Sequence, residues 1–434
     1  MAQLPDFTLP LSLWASTAIP APNFFRLEGQ REVDLAVIGG GFSGLSTAYH
    51  ARQRGLSVAV LEAAEVGWGA SGRNNGQVIP TLSKRDPADI IAKFGVERGE
   101  RVIALVRDSA DLLFGIIRQL DIRCDAEQTG WIQPAHTPGR VDISRRRHDA
   151  WASYGAEVAF YDRQEITELI GSQAYYGGWG NLSGGHINPL SLARGLAAAI
   201  ERMGVLLFVR TPARGIRHNW DRWEITTPSG RVLASRVVMA TNAYSDDLFP
   251  GLNRSMVPVN SWQLATMPLN ENVCATIVPG RQAISDTRGE LGFFRFDAQN
   301  RLVTGGATMW PFGAEAKLRS TVAARLVSWF PQIGRLRFEY AWSGRLAMTT
   351  DFFPHVHQLG EGAFTWVGCN GRGVALAFAM GRELANLAAG DDPSDLAVPL
   401  SKLSPIRAHG VVKRLGPPVT LWKYRRADLR DRPA

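Results

Sequence analysis

The residues with the clearest chemical potential in this 434-residue chain are three glycines and one acid. Gly39, Gly41 and Gly44 stand in the spacing G-x-G-x-x-G, with Phe42 and Ser43 between the last two, and Glu62 follows 18 residues after Gly44. Gly39 allows a tight turn, Gly41 lets a diphosphate approach the backbone, and Gly44 permits close packing of a helix on a strand. The N-terminus of that helix would carry about half a positive charge and free N–H donors, which suit a diphosphate. Glu62 can accept hydrogen bonds from ribose hydroxyls and would repel a 2′-phosphate. A glycine triad alone is a weak signal, so its weight depends on the elements around it.

Those elements are present. Val33–Ile38 reads as a strand, Leu45–Arg54 as a helix closed by Gly55, and Ser57–Leu61 as a second strand ending at Glu62 and Ala63. Up to this point the dinucleotide can be NAD or FAD. A long polar glycine-rich loop, Gly67–Gln77, then replaces the helix that an NAD-binding unit usually continues into. Its Ser71, Gly72, Arg73, Asn74, Asn75 and Gly76 can line a pyrophosphate and the edge of a flavin, which favours FAD.

Several stretches carry a resemblance. Trp14-Ala15-Ser16-Thr17, Leu27-Glu28-Gly29, the glycine unit and Ala70-Ser71-Gly72-Arg73-Asn74 resemble the D-amino-acid-oxidase-like FAD-dependent amine oxidoreductases, most nearly the γ-glutamylputrescine oxidase branch. Gly185–Pro189, Val237–Ser245, Trp342-Ser343-Gly344, Thr349-x-Asp351 and Gly368–Gly373 extend the likeness over roughly residues 12–390.

The resemblance implies α/β plus α+β architecture: a Rossmann-type, glutathione-reductase-like FAD-binding domain and a discontinuous substrate domain on a mixed or antiparallel sheet. It implies division into an FAD domain (30–86, 150–250 and 345–410), a substrate domain (87–149 and 251–344), an N-terminal extension (1–29) and a basic tail (411–434). It adds Ala213, Thr241, Gly344, Gly371, Gly373 and Val374 to the FAD contacts, and places Trp342, Arg345 and Arg372 facing flavin or substrate. Trp262, Phe294 and His186 would border the substrate; core packing is the competing reading for the aromatics, and a satisfied structural histidine for His186. Related sarcosine oxidases tether flavin through a cysteine where this chain has Arg345, so noncovalent FAD is expected. They also grip a substrate carboxylate with a lysine where this chain has Ala375, leaving Arg345, Arg73 or Arg295 for that task.

Elsewhere, Val96–Leu120 reads as one long amphipathic helix, Asn188–Met203 as a helix opened by an N-cap and a proline, and Ser320–Phe330 and Val374–Ala389 as two more. Strand runs at Val257–Leu264, Leu291–Phe296 and Leu302–Gly306 suggest an antiparallel sheet. The composition (45% hydrophobic, 20% charged) excludes a disordered or fibrous chain. Three scattered cysteines exclude a disulfide scaffold or thiolate zinc site and suit a reducing, cytoplasmic compartment. No spanning helix or signal peptide is expected, and His355-x-His357 lacks a third ligand, so no metal is expected. Lys413, Arg414, Lys423, Arg425, Arg426, Arg430 and Arg432 make the tail basic. A solvated terminus is preferred over a weak peripheral contact with an anionic membrane, and no motif points to nucleic acid.

The function implied is hydride transfer from the carbon beside an amine nitrogen to flavin. The imine so formed hydrolyses, and O2 or an electron carrier reoxidises the cofactor. The amine would be a glutamylated polyamine, an amino acid or a cyclic imino acid. The alternatives are an FAD dehydrogenase of a hydroxy or imino acid passing electrons to a quinone, and a flavin-binding subunit without catalysis.

Overall fold

The computed structural model describes residues 8–307 and 313–431. Its first sheet has nine strands and is parallel at its centre, where Gly230–Met239, Gly29–Ile38, Val58–Leu61 and Leu206–Phe208 lie side by side. Leu35–Ile38 and Val58–Leu61 are buried without alternation, as a parallel sheet covered on both faces requires. Ala363–Val367 joins the other edge of Gly230–Met239, again in parallel, so the two ends of the chain meet in one sheet.

Helices Phe42–Gln53 and Gly373–Ala389 pack against each other at close range. Ser46 Oγ donates to the Phe378 carbonyl (2.9 Å), and a Cβ on Gly381 would stand 2.6 Å from the Ser46 side chain. Trp366 Nε1 donates to Ser43 Oγ (2.6 Å) and ties strand Ala363–Val367 to the start of the first of these helices.

The second sheet has eight strands in the order Phe338–Met348, Val257–Thr266, Leu302–Gly306, Phe293–Phe296, Ala283–Ser285, Trp131–Pro134, Gly178–Asn181 and Val158–Tyr161. It is mixed: only Ala283–Ser285 with Trp131–Pro134 runs parallel. Helix Ala314–Trp329, longer at its start than Ser320–Phe330, covers one face. Leu318, Val322, Leu326 and Trp329 bury there against Phe294, Phe296 and Leu302.

Three expectations change. The Val96–Leu120 helix is two helices, Val96–Arg107 and Ser109–Gln119, joined at Asp108. Arg107 holds the Asp108 carboxylate (2.6 and 2.9 Å), while the Ser109 hydroxyl donates back to the Val106 carbonyl (2.6 Å), a local bond that competes with a continuous helix. The sheets do not follow boundaries at 87 and 150. Both helices pack into the core of the first sheet, whereas Val158–Tyr161 and Gly178–Asn181 pair into the second. Finally, the basic C-terminal segment is a 22-residue helix, His409–Arg430, docked on the protein; Arg432 lies outside the described residues.

Gly381→Val should destabilise the fold by about 1–3 kcal/mol, because the two helices would have to separate. The expected readout is a lower urea midpoint with an unchanged slope; an unshifted midpoint would show that the helix contact is not this tight.

Candidate active site

The site begins where Gly29–Ile38 ends. A Cβ on Gly44 would lie 2.0 Å from the Gly39 carbonyl oxygen, so strand and helix touch backbone to backbone. Helix Phe42–Gln53 starts at Gly41 with no capping bond from that residue's side. The Phe42 amide instead donates to Ser71 Oγ (2.9 Å), which brings the glycine-rich loop onto the helix N-terminus. A Cβ on Gly41 would press on that hydroxyl at 2.8 Å.

Glu62 is anchored at the tip of the second strand. Its carboxylate accepts from the amides of Gly40 (2.7 Å) and Ala64 (2.9 Å). Burial raises its pKa, while the amides of Ala64, Gly40 and Ala63 pull the other way. Thr241 closes this end: its hydroxyl bonds Ser245 (2.6 Å) just past Met239, and Ala213 packs against the same core.

The loop from Ala70 to Gln77 then forms one wall of a cavity of about 510 Å³. Asn74 braces the loop, donating to the carbonyls of Ala70 and Ser71 and accepting from the Gly76 amide. Arg295 fixes it to the second sheet with bonds to the carbonyls of Asn75 (2.8 Å) and Ile187 (2.8 Å). Across the cavity stand Val257, Val259, Ser261 and Gln263 of one strand and Gly344, Leu346 and Met348 of its neighbour. Gly371, Arg372 and Val374, at the start of helix Gly373–Ala389, close a third side. The C-terminal helix supplies the fourth with Val412, Gly416, Thr420, Leu421 and Tyr424.

Of the expected residues, Arg73, Asn74, Asn75, Gly76, Gly344, Arg345, Gly371, Arg372 and Val374 come together here. Gly39, Gly41, Phe42, Ser43, Gly44, Glu62, Ala63 and Thr241 gather at the nucleotide end.

Four do not reach the cavity. Trp262 and Phe294 turn to the opposite face of their sheet, Phe294 meeting Trp329 at a tilt and Phe330 edge-on, and strand alternation puts Gln263 and Phe293 on the cavity instead. Trp342 is a buried pillar: its indole donates to the Arg73 carbonyl (2.9 Å) and meets Trp14 edge-on. His186 lies behind the loop, bonded to the Arg281 carbonyl (2.9 Å), with its pKa lowered to about 3 by burial and by Arg295. Two of the arginines considered as carboxylate grips are also engaged. Arg295 spends its donors on carbonyls, and Arg73 donates to the Trp68 carbonyl (2.7 Å) while lying 4.4 Å over that indole.

Three cations remain at the cavity wall: Arg345, exposed and 5.6 Å from the Tyr244 ring, Arg372 and Lys84. Arg372 is buried, reaches Thr81 Oγ1, lies 4.7 Å from the Trp131 ring and has no partner for its Nε. Lys84, missed in the sequence, sits 4.7 Å from the Tyr424 ring. Burial lowers its pKa to about 8, with repulsion from Arg372 and Arg147 adding to the effect. The nearest carboxylates are engaged elsewhere, Asp86 with Arg147 and Asp428 with the amides of Gly289 and Glu290. No local motif marks Lys84; only the docked C-terminal helix makes it a cavity residue.

The arrangement is that of a flavin-dependent oxidoreductase: a phosphate turn at one end, and at the other a mostly apolar cavity roofed by an antiparallel sheet. The chain belongs to the DAO family of FAD dependent oxidoreductases, whose model matches residues 34–387. It is similar to gamma-glutamylputrescine oxidoreductase of Escherichia coli K12, 29% identical over 383 residues, 88% of this chain and 89% of that protein. Its fold is similar to that of glycine oxidase from Geobacillus kaustophilus (TM-score 0.70, 22% identity, 83% of this chain and 95% of that one). It is also similar to that of L-amino acid deaminase from Proteus vulgaris (TM-score 0.71, 19% identity, 89% and 96%).

The residues present fit FAD. The helix N-terminus is free of a side-chain cap from Gly41, and two buried polar atoms at the cavity wall, Asn75 Oδ1 and Arg372 Nε, lack partners. Gly41→Val should therefore abolish flavin binding, since its side chain would fill the diphosphate's place. Glu62→Ala should weaken binding more modestly. The absorbance ratio of flavin to protein after purification measures both; a fully yellow Gly41→Val protein would refute the placement.

Proposed function

We propose that the protein oxidises the C–N bond of a small amine that also carries a carboxylate. A γ-glutamylated polyamine, an amino acid or a cyclic imino acid would qualify, with O2 or an electron carrier as the final acceptor, in the cytoplasm. The observation that carries this reading is the set of cations without carboxylate partners, Lys84, Arg372 and Arg345, on a cavity whose other walls are largely apolar. A carboxylate bound there would neutralise them and leave the amine end of the molecule among apolar side chains.

FAD, when bound, supplies two-electron acceptance. The chain's own residues do the positioning. Val257, Val259, Phe293, Leu346 and Met348 exclude water, and a drier site strengthens every charge interaction in it. The N-terminus of the 17-residue helix Gly373–Ala389 opens on the cavity beside Arg372 and favours developing negative charge. Among the described residues lining the cavity the one acid is Glu290, and it is held by Arg425 (2.6 and 2.9 Å) rather than free to act as base. The amine must therefore arrive neutral or lose its proton to water.

The cavity lining contains no cysteine or histidine among the described residues, which supports noncovalent FAD. Acid precipitation should release the chromophore into the supernatant; colour retained in the pellet would contradict this. The function itself is tested by an aerobic screen of glutamylated polyamines, amino acids and cyclic imino acids for flavin bleaching and peroxide. Bleaching without peroxide would assign a carrier as oxidant, and bleaching by hydroxy acids alone would overturn the amine reading.

The pH dependence separates the two titrating groups. An alkylamine has a pKa of about 10, so kcat/KM rises about tenfold per pH unit as the neutral amine accumulates. Lys84 is charged below about 8 and neutral above it, so its grip on a carboxylate is present at pH 7 and lost as pH rises through 8. The expected profile for a carboxylated amine therefore climbs to about pH 8 and then flattens. With Lys84→Arg the climb should continue, because guanidinium stays charged. Identical profiles for the two proteins would remove Lys84 from substrate binding.

A further inference from the structure

The C-terminal helix His409–Arg430 has two faces of different character. Its inner face walls the cavity and is pinned there. Arg425 pairs with Glu290, Asp428 accepts from the Gly289 amide (2.8 Å), and Asp431, just beyond, accepts from Arg140 Nε (2.9 Å). These anchors fix which side points outward.

The outer side carries Val411, Leu415, Val419, Trp422 and Leu429, each 47–59% exposed. Steps of four, four, three and seven residues put them in one straight stripe along the helix. Large apolar side chains this exposed are scattered singly elsewhere on the protein, so the stripe needs an explanation.

Cations flank it. Arg414, Lys423, Arg426 and Arg430 are exposed, and Arg426 lies over the Trp422 ring at 5.3 Å. The helix has one acid, Asp428, and that carboxylate faces inward. The outer face is therefore apolar along its middle and positive along its margins, with no negative charge from the helix itself. No helix among the described residues is long and apolar enough to cross a membrane, so this one can only lie on a surface.

We propose that this helix seats the protein on an anionic lipid bilayer, with the Val411–Leu429 stripe at the headgroup–acyl boundary and the flanking cations on lipid phosphates. Apolar burial with a central tryptophan and basic margins is what such an interface rewards. A second copy of the chain is a poorer occupant, because a two-fold contact through the stripe would bring like-charged margins together. Seated in this way, the bilayer covers the outer surface of the helix whose inner surface bounds the cavity. The inference stands independently of which substrate the cavity takes.

Cosedimentation of the full-length holoprotein with vesicles tests it. Binding to vesicles containing about one-third phosphatidylglycerol should exceed binding to pure phosphatidylcholine by about tenfold or more, and should fall in about 0.5 M salt. Two variants touch only the outer face: Lys423→Glu/Arg426→Glu/Arg430→Glu and Leu415→Ser/Val419→Ser/Trp422→Ser. Each should lose binding about tenfold or more while keeping wild-type flavin content and melting temperature. Equal binding to both vesicle types, unchanged binding by either variant, or no vesicle binding with a stripe-dependent dimer in light scattering would each overturn the proposal.

Discussion

The fold depends on one buried guanidinium. Arg295, on the second sheet, donates to the carbonyls of Asn75 and Phe296 and, through Nη2, to that of Ile187, and it lies 4.9 Å from the Trp14 ring. Burying a cation with no carboxylate in contact is costly, and its pKa is lowered to about 10, mainly by desolvation. Three carbonyl dipoles and an aromatic face offset that cost. In return the cofactor-facing loop, the segment entering helix Pro189–Arg202 and the substrate-side sheet are held in one geometry. Gly76 is the consequence: a Cβ there would stand 2.4 Å from Arg295 and 2.2 Å from the Ile187 carbonyl.

Around that strut the two sheets divide the work. The first ends its strands at a turn where backbone touches backbone, which leaves amides for a diphosphate and a carboxylate for a ribose. The second presents Val257, Val259, Ser261 and Gln263 to the cavity and turns Trp262 and Leu264 toward helix Ala314–Trp329. Charge follows the same division. Glu62 is settled by amides at the nucleotide end, whereas Lys84 and Arg372 are left without anions at the cavity end, where a substrate could supply one.

The strand–turn–helix unit was legible in the sequence because Gly39 and Gly44 sit where a Cβ would strike backbone and Gly41 where it would press on the Ser71 hydroxyl. The meeting of early and late segments in one sheet was legible only through family resemblance, since nothing in local periodicity pairs Gly29–Ile38 with Gly230–Met239 or that strand with Ala363–Val367. The substrate end was misread by one residue on two strands. The family resemblance put Trp262 and Phe294 beside the substrate, with core packing as the competing reading, and because both faces of this sheet are buried hydrophobicity could not fix the parity. The C-terminal helix was missed for a different reason. Gly416, Pro417 and Pro418 read as helix breakers, and the segment is helical because its inner face packs against the second sheet rather than through intrinsic propensity. Lys84 and Tyr424 entered the site only through that packing.

On the proposed function, electrons leave an amine held by its carboxylate in this cavity. The most direct measurement is anaerobic rapid-mixing reduction of the flavin by two amines that differ only in bearing or lacking the carboxylate, using wild-type protein and Lys84→Met. The wild-type protein should be half-saturated by the carboxylated amine at a concentration at least about tenfold lower, and Lys84→Met should narrow this gap by raising that concentration while leaving the limiting rate within about threefold. Equal half-saturation by both amines in the wild-type protein, or a Lys84→Met protein that keeps the full preference, would contradict it.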